Sequence, residues 1–331
     1  MAFARAGSGL ASAAEVPYPR CVPVKLPGYT PSPHSAAGRA RQGGVSGPKP
    51  DWLRIKVETG PTYNRVRRLM RELSLNTVCE EARCPNVFEC WTHGTATIMV
   101  LGDVCTRRCG FCAVATGRPP APPDPAEPDN VARAVAELGL KHVVITSVDR
   151  DDLPDGGAAH FAAVVRALHR SVPECAVEVL TPDFKQDPAR ALDLVLAERP
   201  AVFSHNIETV PELYRVARPG SRFEHSLELL RQASERKGAF GGRTKTALML
   251  GLGETDGQVH ETMRAVRGAG VDIVAMGQYL RPSREHLPVQ RYVAPQEFAR
   301  FRDFGLGLGF AHVEAGPLVR SSYHAEKQAR G

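Results

Sequence analysis

The sequence predicts an α/β fold, a parallel sheet whose strands are joined by helical crossovers. Three observations carry that prediction. β-branched apolar runs alternate with amphipathic stretches from residue 97 to 276; six strand–helix units fit that span; and polar residues collect where each apolar run ends. Six units are too few for a closed eight-fold barrel, which leaves an open, partial barrel or a doubly wound sheet. In both, ligands sit at the C-terminal ends of the strands, so one mouth gathers the candidate chemistry.

The elements follow in chain order. Residues 1–50 hold eight Pro and seven Gly with no sustained apolar period, a composition that buries too little surface to offset the entropy of ordering; a disordered tail is expected. It is Arg- and Ser-bearing and poor in acid, like an organelle transit peptide, but its Pro density argues against a long amphipathic helix. From Trp52 the character changes, and 61–73 reads as a short helix with Val66, Leu69 and Leu73 on one face. An apolar strand over 97–101 leads into Cys105. After a linker, 118–127, carrying five Pro, Asp129 or Asn130 caps a helix that ends at Gly139 as its C′ residue. Strand 142–146 follows, then helix 158–169, strand 176–180, helix 188–198, strand 201–205, helices over 211–216 and 223–236, strand 244–250, helix 258–267 and strand 271–276. Four regions result: a tail over 1–50, an N-terminal extension over 51–96, the repeating body over 97–293 and a C-terminal extension over 294–331.

Charge and composition narrow the partners. The chain has 331 residues, 42 Lys+Arg against 36 Asp+Glu, and a net charge of +6. Arg5, Arg20, Lys25, Arg39, Arg41 and Lys49 against Glu15 place five of those six charges in the tail. A near-neutral body gives no electrostatic reason to expect nucleic acid. No apolar run approaches the roughly 20 residues of a membrane span, and no secretory signal opens the chain. A cytoplasmic protein is expected, with the mitochondrial matrix left open.

Six of the eight cysteines form two triplets, which reads as metal binding rather than a disulfide framework. The second, Cys105-Thr-Arg-Arg-Cys109-Gly-Phe-Cys112, is a C-x3-C-x2-C loop after a strand. Structural zinc takes four closed ligands, and no fourth Cys or His follows in register. Three thiolates suit a cubane iron–sulfur cluster with one iron left open. The first, Cys79-x4-Cys84-x5-Cys90, argues for a second cluster, because one cubane cannot use six ligands; a single zinc borrowing from both triplets is the blander alternative. Cys21 and Cys175 read as bystanders. Arg107 and Arg108 are expected to offset cluster charge or face solvent, and Glu80, Glu81 and Glu89 to be solvated or paired locally. No H-x-x-x-H pair supports a hydrolytic zinc site, and the glycines of 305–309 lack the Lys-Ser/Thr end of a P-loop.

The C-x3-C-x2-C loop resembles that of the radical S-adenosylmethionine (SAM) superfamily. That resemblance implies a partial (β/α)6 barrel with N- and C-terminal extensions, and an open iron that chelates the amino and carboxylate groups of SAM. There, reductive cleavage of the sulfonium gives a 5′-deoxyadenosyl radical.

Over 52–325 the chain resembles one family closely, the lipoyl synthases. The resemblance rests on both cysteine motifs, Thr146-Ser-Val-Asp-Arg-Asp-Asp-Leu-Pro-Asp-Gly-Gly157, Leu180-Thr-Pro-Asp-Phe184, Asn206-Ile-Glu-Thr209, Met249-Leu-Gly-Leu-Gly-Glu-Thr255, Gly277-Gln-Tyr-Leu280, His286-Leu-Pro288 and Gly316-Pro-Leu-Val-Arg-Ser-Ser-Tyr323. The family inserts two sulfurs, at carbons 6 and 8 of an octanoyl chain on a carrier-protein lysine. Those carbons bear no acidic or polar handle, so a radical is required. The resemblance implies two 4Fe–4S clusters: one on Cys105, Cys109 and Cys112 that binds SAM, and an auxiliary sulfur-donating one on Cys79, Cys84, Cys90 and a terminal serine, Ser322 before Ser321. Serine oxygen is a harder ligand than thiolate, and a weak fourth bond lets an iron leave. Implied partners are octanoylated lipoyl carrier domains (2-oxoacid dehydrogenase acyltransferase subunits and the glycine cleavage H protein), an electron donor such as ferredoxin or flavodoxin, and an iron–sulfur carrier for cluster repair, with neither nucleic acid nor membrane. One wording departs from the family: Thr244-Lys-Thr-Ala247 stands where Thr-Lys-Ser-Gly is expected.

Candidate SAM contacts come from the strand ends. Gly251, Gly253 and Glu254 form a turn whose glycines let backbone approach a ligand, or an ordinary βα turn. Asp149, Arg150 and Asp152 either grip the methionine or ribose or form a salt-bridged loop. Asn206, at the end of the fourth predicted strand, is expected to face the ligand.

Overall fold

The computed structural model describes residues 44–45, 48–57, 59–93 and 96–330, with 329 and 330 as backbone only. The Pro/Gly-rich tail and Cys21 therefore lie, apart from residues 44–45 and 48–50, outside the described residues.

Ten strands are described: β1 (Asn76–Thr77), β2 (Thr97–Val100), β3 (Val104–Cys105), β4 (Ala115–Thr116), β5 (His142–Ser147), β6 (Ala176–Leu180), β7 (Val202–Ser204), β8 (Arg243–Leu250), β9 (Ile273–Gln278) and β10 (His312–Gly316). Eight of them form one sheet in the order β1-β2-β5-β6-β7-β8-β9-β10. Every pair in it is parallel except β1 with β2. The two ends of this order do not pair, so the sheet is open, yet it curls far enough that residues of β2, β5, β6, β8 and β9 line one cavity.

The six expected strands are β2, β5, β6, β7, β8 and β9, and helices occupy the crossovers. Alternation sorts the faces: Val143 and Ile145 of β5 join the apolar core under the outer helices, whereas Thr146 lines the cavity. Helix Pro188–Ala197 starts where Asp187 accepts from the Arg190 N–H at 3.1 Å. Helix Asp256–Gly268 starts with a capping box between Thr255 and Gln258. Gly139 ends helix Glu127–Leu138 at φ 66°, the left-handed geometry a C-terminal glycine supplies. That helix begins earlier than expected, at Glu127 rather than beside Asp129 or Asn130, because Pro128 presets the helical φ in its first turn. The expected helix over 211–216 is a 3-10 turn, Pro211–Leu213, running into one α-turn, Tyr214–Ala217.

The sheet is larger than the six-strand expectation. β10 adds a parallel strand beyond β9, and β1 adds an antiparallel one beyond β2. Separately, β3 and β4 form a two-residue parallel ladder that brackets the second cysteine triplet. After β10 the chain turns back over the C-terminal end of β9. There Gly277 is obligatory: a Cβ on it would lie 1.8 Å from the Val319 carbonyl oxygen.

Candidate active site

Both cysteine triplets meet at a cavity of about 510 Å³ inside the curl of the sheet. Cys105, Cys109 and Cys112 line it from the β3–β4 loop, and Cys79 and Cys84 line it from the N-terminal extension. Cys90 stands behind them, on helix Val87–Thr92, close enough for Cys79 and Cys84 to act on its ionisation. Ser321 and Ser322 line the same cavity. Ser322 Oγ accepts from Thr97 Oγ1 at 2.8 Å, and the Thr97 backbone hydrogen-bonds the Cys79 sulfur, so Thr97 joins the terminal motif to the first triplet. Two further bonds fasten that motif: Asn86 Nδ2 donates to Leu318 O at 2.8 Å and Tyr323 OH to Glu89 Oε1 at 2.9 Å. Glu89 is thus paired across the chain rather than locally.

Burial pushes the Cys79, Cys105, Cys109 and Cys112 thiols up to about 12 and raises Cys84 and Cys90 as well. Thiols held neutral by their surroundings ionise only when a cation displaces the proton, which metal binding does. Six thiols in two sets of three are the donor chemistry that iron–sulfur clusters take. Cys175 lies apart, buried at the N-terminal edge of β6.

The second triplet is held from below. Cys105 Sγ receives the backbone N–H groups of Asp149 at 3.3 Å and Arg107 at 3.4 Å. Arg107 lines the cavity rather than facing solvent, and its charge is already engaged by carboxylates. Its side chain is 3% exposed and binds Asp151 at 2.7 Å and Asp183 at 2.6 Å, with Asp149 at 3.5 Å. Burial opposes its charge, but Asp151 and Asp183 hold it ionised, and Arg107 in turn holds the Asp183 carboxyl well below the usual carboxylate range. A loop between two cysteines is thereby clamped to the ends of β5 and β6. Arg108 is exposed.

The SAM-contact candidates divide. Asp149 and Asn206 line the cavity, and each has a buried oxygen, Oδ1, with no hydrogen-bond partner. Arg150, Asp152, Gly251, Gly253 and Glu254 do not line it. Arg150 grips Asp152 through two 2.8 Å bonds and reaches Leu101 O and Ala121 O. Glu254 turns back on its own loop, accepting from the N–H groups of Gly251, Leu252 and Gly253 at 2.6, 2.9 and 3.1 Å. Arg150 and Glu254 spend their polar groups on nearby loops, which spacing in the sequence does not reveal.

Among the charged residues absent from the expected set that line the cavity, three lie in its interior. Glu208 sits at φ 69°, a costly geometry for a non-glycine residue, held by its N–H to Ala247 O at 2.9 Å and by Asn206 Nδ2 at 3.1 Å. Burial raises its pKa despite Arg218 nearby. Arg218, 7% exposed, donates to Asn206 O at 2.9 Å and keeps a buried Nε without a partner. Arg320 lies between the Cys84 and Glu208 sides, both of which favour its charge against burial. The motif text around Asn206 and before Ser321 points to Glu208 and Arg320; nothing in spacing or period marks Arg218.

Comparison with known proteins places this geometry. The family model of the radical SAM superfamily matches residues 99–266, and that of the N-terminal domain of lipoyl synthase matches 36–84. Lipoyl synthase of Methylococcus capsulatus is 59% identical over 281 residues, covering 85% of this chain and 86% of the relative. The chain belongs to the lipoyl synthase family. The lipoyl synthases of Rubrobacter xylanophilus and Thermus thermophilus are 58% and 52% identical, over 85% and 87% of this chain. Among solved structures, methylornithine synthase aligns over 85% of each chain at 14% identity and a TM-score of 0.49, a likeness too distant to add to the family result. The family uses SAM and 4Fe–4S clusters. Among the described residues no helix is long and apolar enough to cross a membrane.

Proposed function

We propose that this cavity is the sulfur-insertion site of a lipoyl synthase, which uses SAM to insert two sulfur atoms, at carbons 6 and 8, into an octanoyl chain on a protein lysine and gives lipoyl-lysine. The observation that carries the reading is the opening of the second triplet, of Cys79 and Cys84 from the first, and of Ser322 onto one space, so that a chain bound there meets both sets. When bound, the cluster on Cys105, Cys109 and Cys112 supplies the electron that cleaves SAM, and the auxiliary cluster on Cys79, Cys84, Cys90 and Ser322 supplies sulfur.

On this reading the chain's own residues bind and orient. Arg218 meets the SAM carboxylate with its unpartnered Nε, while Asn206 Oδ1 and Asp149 Oδ1 accept from the amino group or the ribose hydroxyls. Arg218 Nε and Asn206 Oδ1 thereby gain the hydrogen bond they lack, which removes a desolvation penalty of about 1–3 kcal/mol apiece, while Asp149 Oδ1 adds to its ion pair with Arg107 at 3.5 Å. Met99, Ala247, Met249, Ala275 and Val319 form the apolar lining; the two alanines leave room for a hydrocarbon chain, and the lining excludes water from a carbon radical. Thr97 donates to Ser322 Oγ, the sense that stabilises an oxygen carrying negative charge. The substrate is a lipoyl carrier domain, a ferredoxin or flavodoxin serves as electron donor, an iron–sulfur carrier rebuilds the auxiliary cluster, and the enzyme works in the cytoplasm.

Reconstitution under anaerobic conditions tests the assignment. Two cubanes bring about eight irons per chain with matching sulfide; one or two zincs and no sulfide would overturn it. Ser322→Cys should keep that iron but lose sulfur insertion, because a thiolate holds the departing iron more tightly than serine oxygen. Repeated turnover by that variant contradicts the role given to Ser322.

A further inference from the structure

The mouth of the cavity differs in character from its depths. Residues 44–45 and 48–57 run along it: Val45 N–H donates to Val289 O at 2.8 Å, the buried Leu53 side chain pins the short 3-10 turn Asp51–Leu53, and Lys49 and Ile55 line the opening. Among the described residues five large hydrophobic side chains are exposed, and four of them, Val45, Trp52, Ile55 and Val57, belong to these residues. Val57 is 70% exposed. Clustered exposed apolar groups beside a site mark a contact surface rather than chance.

Charge sorts in the same way. Of the charged residues that line the cavity, the exposed ones are all cations: Lys49, Arg83 and Arg281. Its carboxylates, Asp149 and Glu208, are half-buried below and stand opposite the cations Arg107, Arg218 and Arg320. The interior thus sets carboxylates against cations, whereas the charged side chains exposed at the cavity's edge are cations alone. A site for SAM and an apolar chain has no need of them.

We infer that this mouth is the docking surface for a folded carrier domain whose octanoylated lysine stands on a turn flanked by carboxylates and by an apolar contact. The inference rests on the proposed sulfur-insertion reading and adds where the partner sits. Acidic groups beside the modified lysine meet Lys49 and Arg83, an apolar side chain meets Trp52 and Ile55, and the tethered chain passes inward between them. Long-range attraction of this kind raises the association rate and fades with salt.

The test compares a free octanoyl-lysine peptide with an intact octanoylated carrier domain, both on the reconstituted holoenzyme. For Lys49→Glu/Arg83→Glu we expect KM for the domain to rise roughly tenfold more than KM for the peptide. Binding of the labelled domain, followed by fluorescence anisotropy without turnover, should weaken to the same degree, and wild-type binding should weaken as salt rises. Trp52→Ser should weaken domain binding with little change in salt dependence. Equal effects on peptide and domain, or no effect on either, would overturn the inference. A wild-type holoenzyme that fails on the peptide overturns instead the sulfur-insertion reading.

Discussion

His205 illustrates how one buried side chain writes a pH dependence into the site. It ends the stretch that β7 begins, is 1% exposed, and lies between Thr181 O and Ser226 Oγ at 2.9 Å each. A carbonyl can only accept, so Nδ1 carries the proton and Nε2 accepts from the serine hydroxyl. Burial first, and Arg218 second, push its pKa down to about 4. The unfolded chain protonates this histidine near pH 6.5 while the folded chain does not, so its contribution is complete above that pH and is lost as pH falls toward 4. The loss amounts to roughly 3 kcal/mol. Urea unfolding of the apo-protein between pH 7 and 4 should show that decline, and His205→Gln, which keeps a donor toward Thr181, should flatten it; an unchanged slope in the variant refutes the assignment. Arg107 teaches the complementary lesson. Its place between two cysteines suggests a partner for cluster charge, but Asp151 and Asp183 lie far along the chain and only the fold brings them to it.

At the scale of elements, the terminal segment after β10 assembles the first triplet's surroundings. It crosses β9 at Gly277 and delivers Ser322 to Thr97 and Tyr323 to Glu89. Gly277→Ala forces the Val319 carbonyl away from a 1.8 Å approach, at a cost of about 2 kcal/mol or more. The variant should lose the auxiliary cluster first, its iron content falling toward about four per chain while the spectrum of the SAM-binding cluster persists; full iron at both sites would contradict the role given to this crossing. The same segment shows where sequence periodicity stops informing. β10 reads His312-Val-Glu-Ala-Gly316 with a single large apolar residue, so its membership in the sheet comes from the backbone ladder to β9. Strands β3 and β4 are too short to carry any pattern. The parallel body was legible because strands buried on both faces are long apolar runs separated by amphipathic helices with caps.

For the whole molecule, the open sheet gathers cysteines of both triplets and the terminal serines around one interior. Beneath the cavity lining, Lys245 of β8 and Glu178 of β6 form an ion pair at 2.9 Å, each essentially unexposed, with His142 of β5 at 3.5 Å. Lys245 belongs to the Thr244–Ala247 stretch that departs from the family's wording, and the departure leaves this lysine and its partner in place. The cysteine spacings and the terminal Arg-Ser-Ser-Tyr pointed at sequence level to residues that line this cavity, Cys90 standing behind it. Of the seven candidate SAM contacts, Asp149 and Asn206 line the cavity, whereas Arg150, Asp152, Gly251, Gly253 and Glu254 do not, because Arg150 and Glu254 find their partners elsewhere in the fold. The most direct measurement is an anaerobic assay of the reconstituted chain with SAM, a reductant and an octanoyl-lysine peptide, followed by mass spectrometry of the peptide. The account predicts a product carrying two added sulfur atoms, with sulfur isotope drawn from the protein's own labelled cluster. A fully reconstituted protein that cleaves SAM yet leaves the octanoyl chain unsulfurated would contradict it.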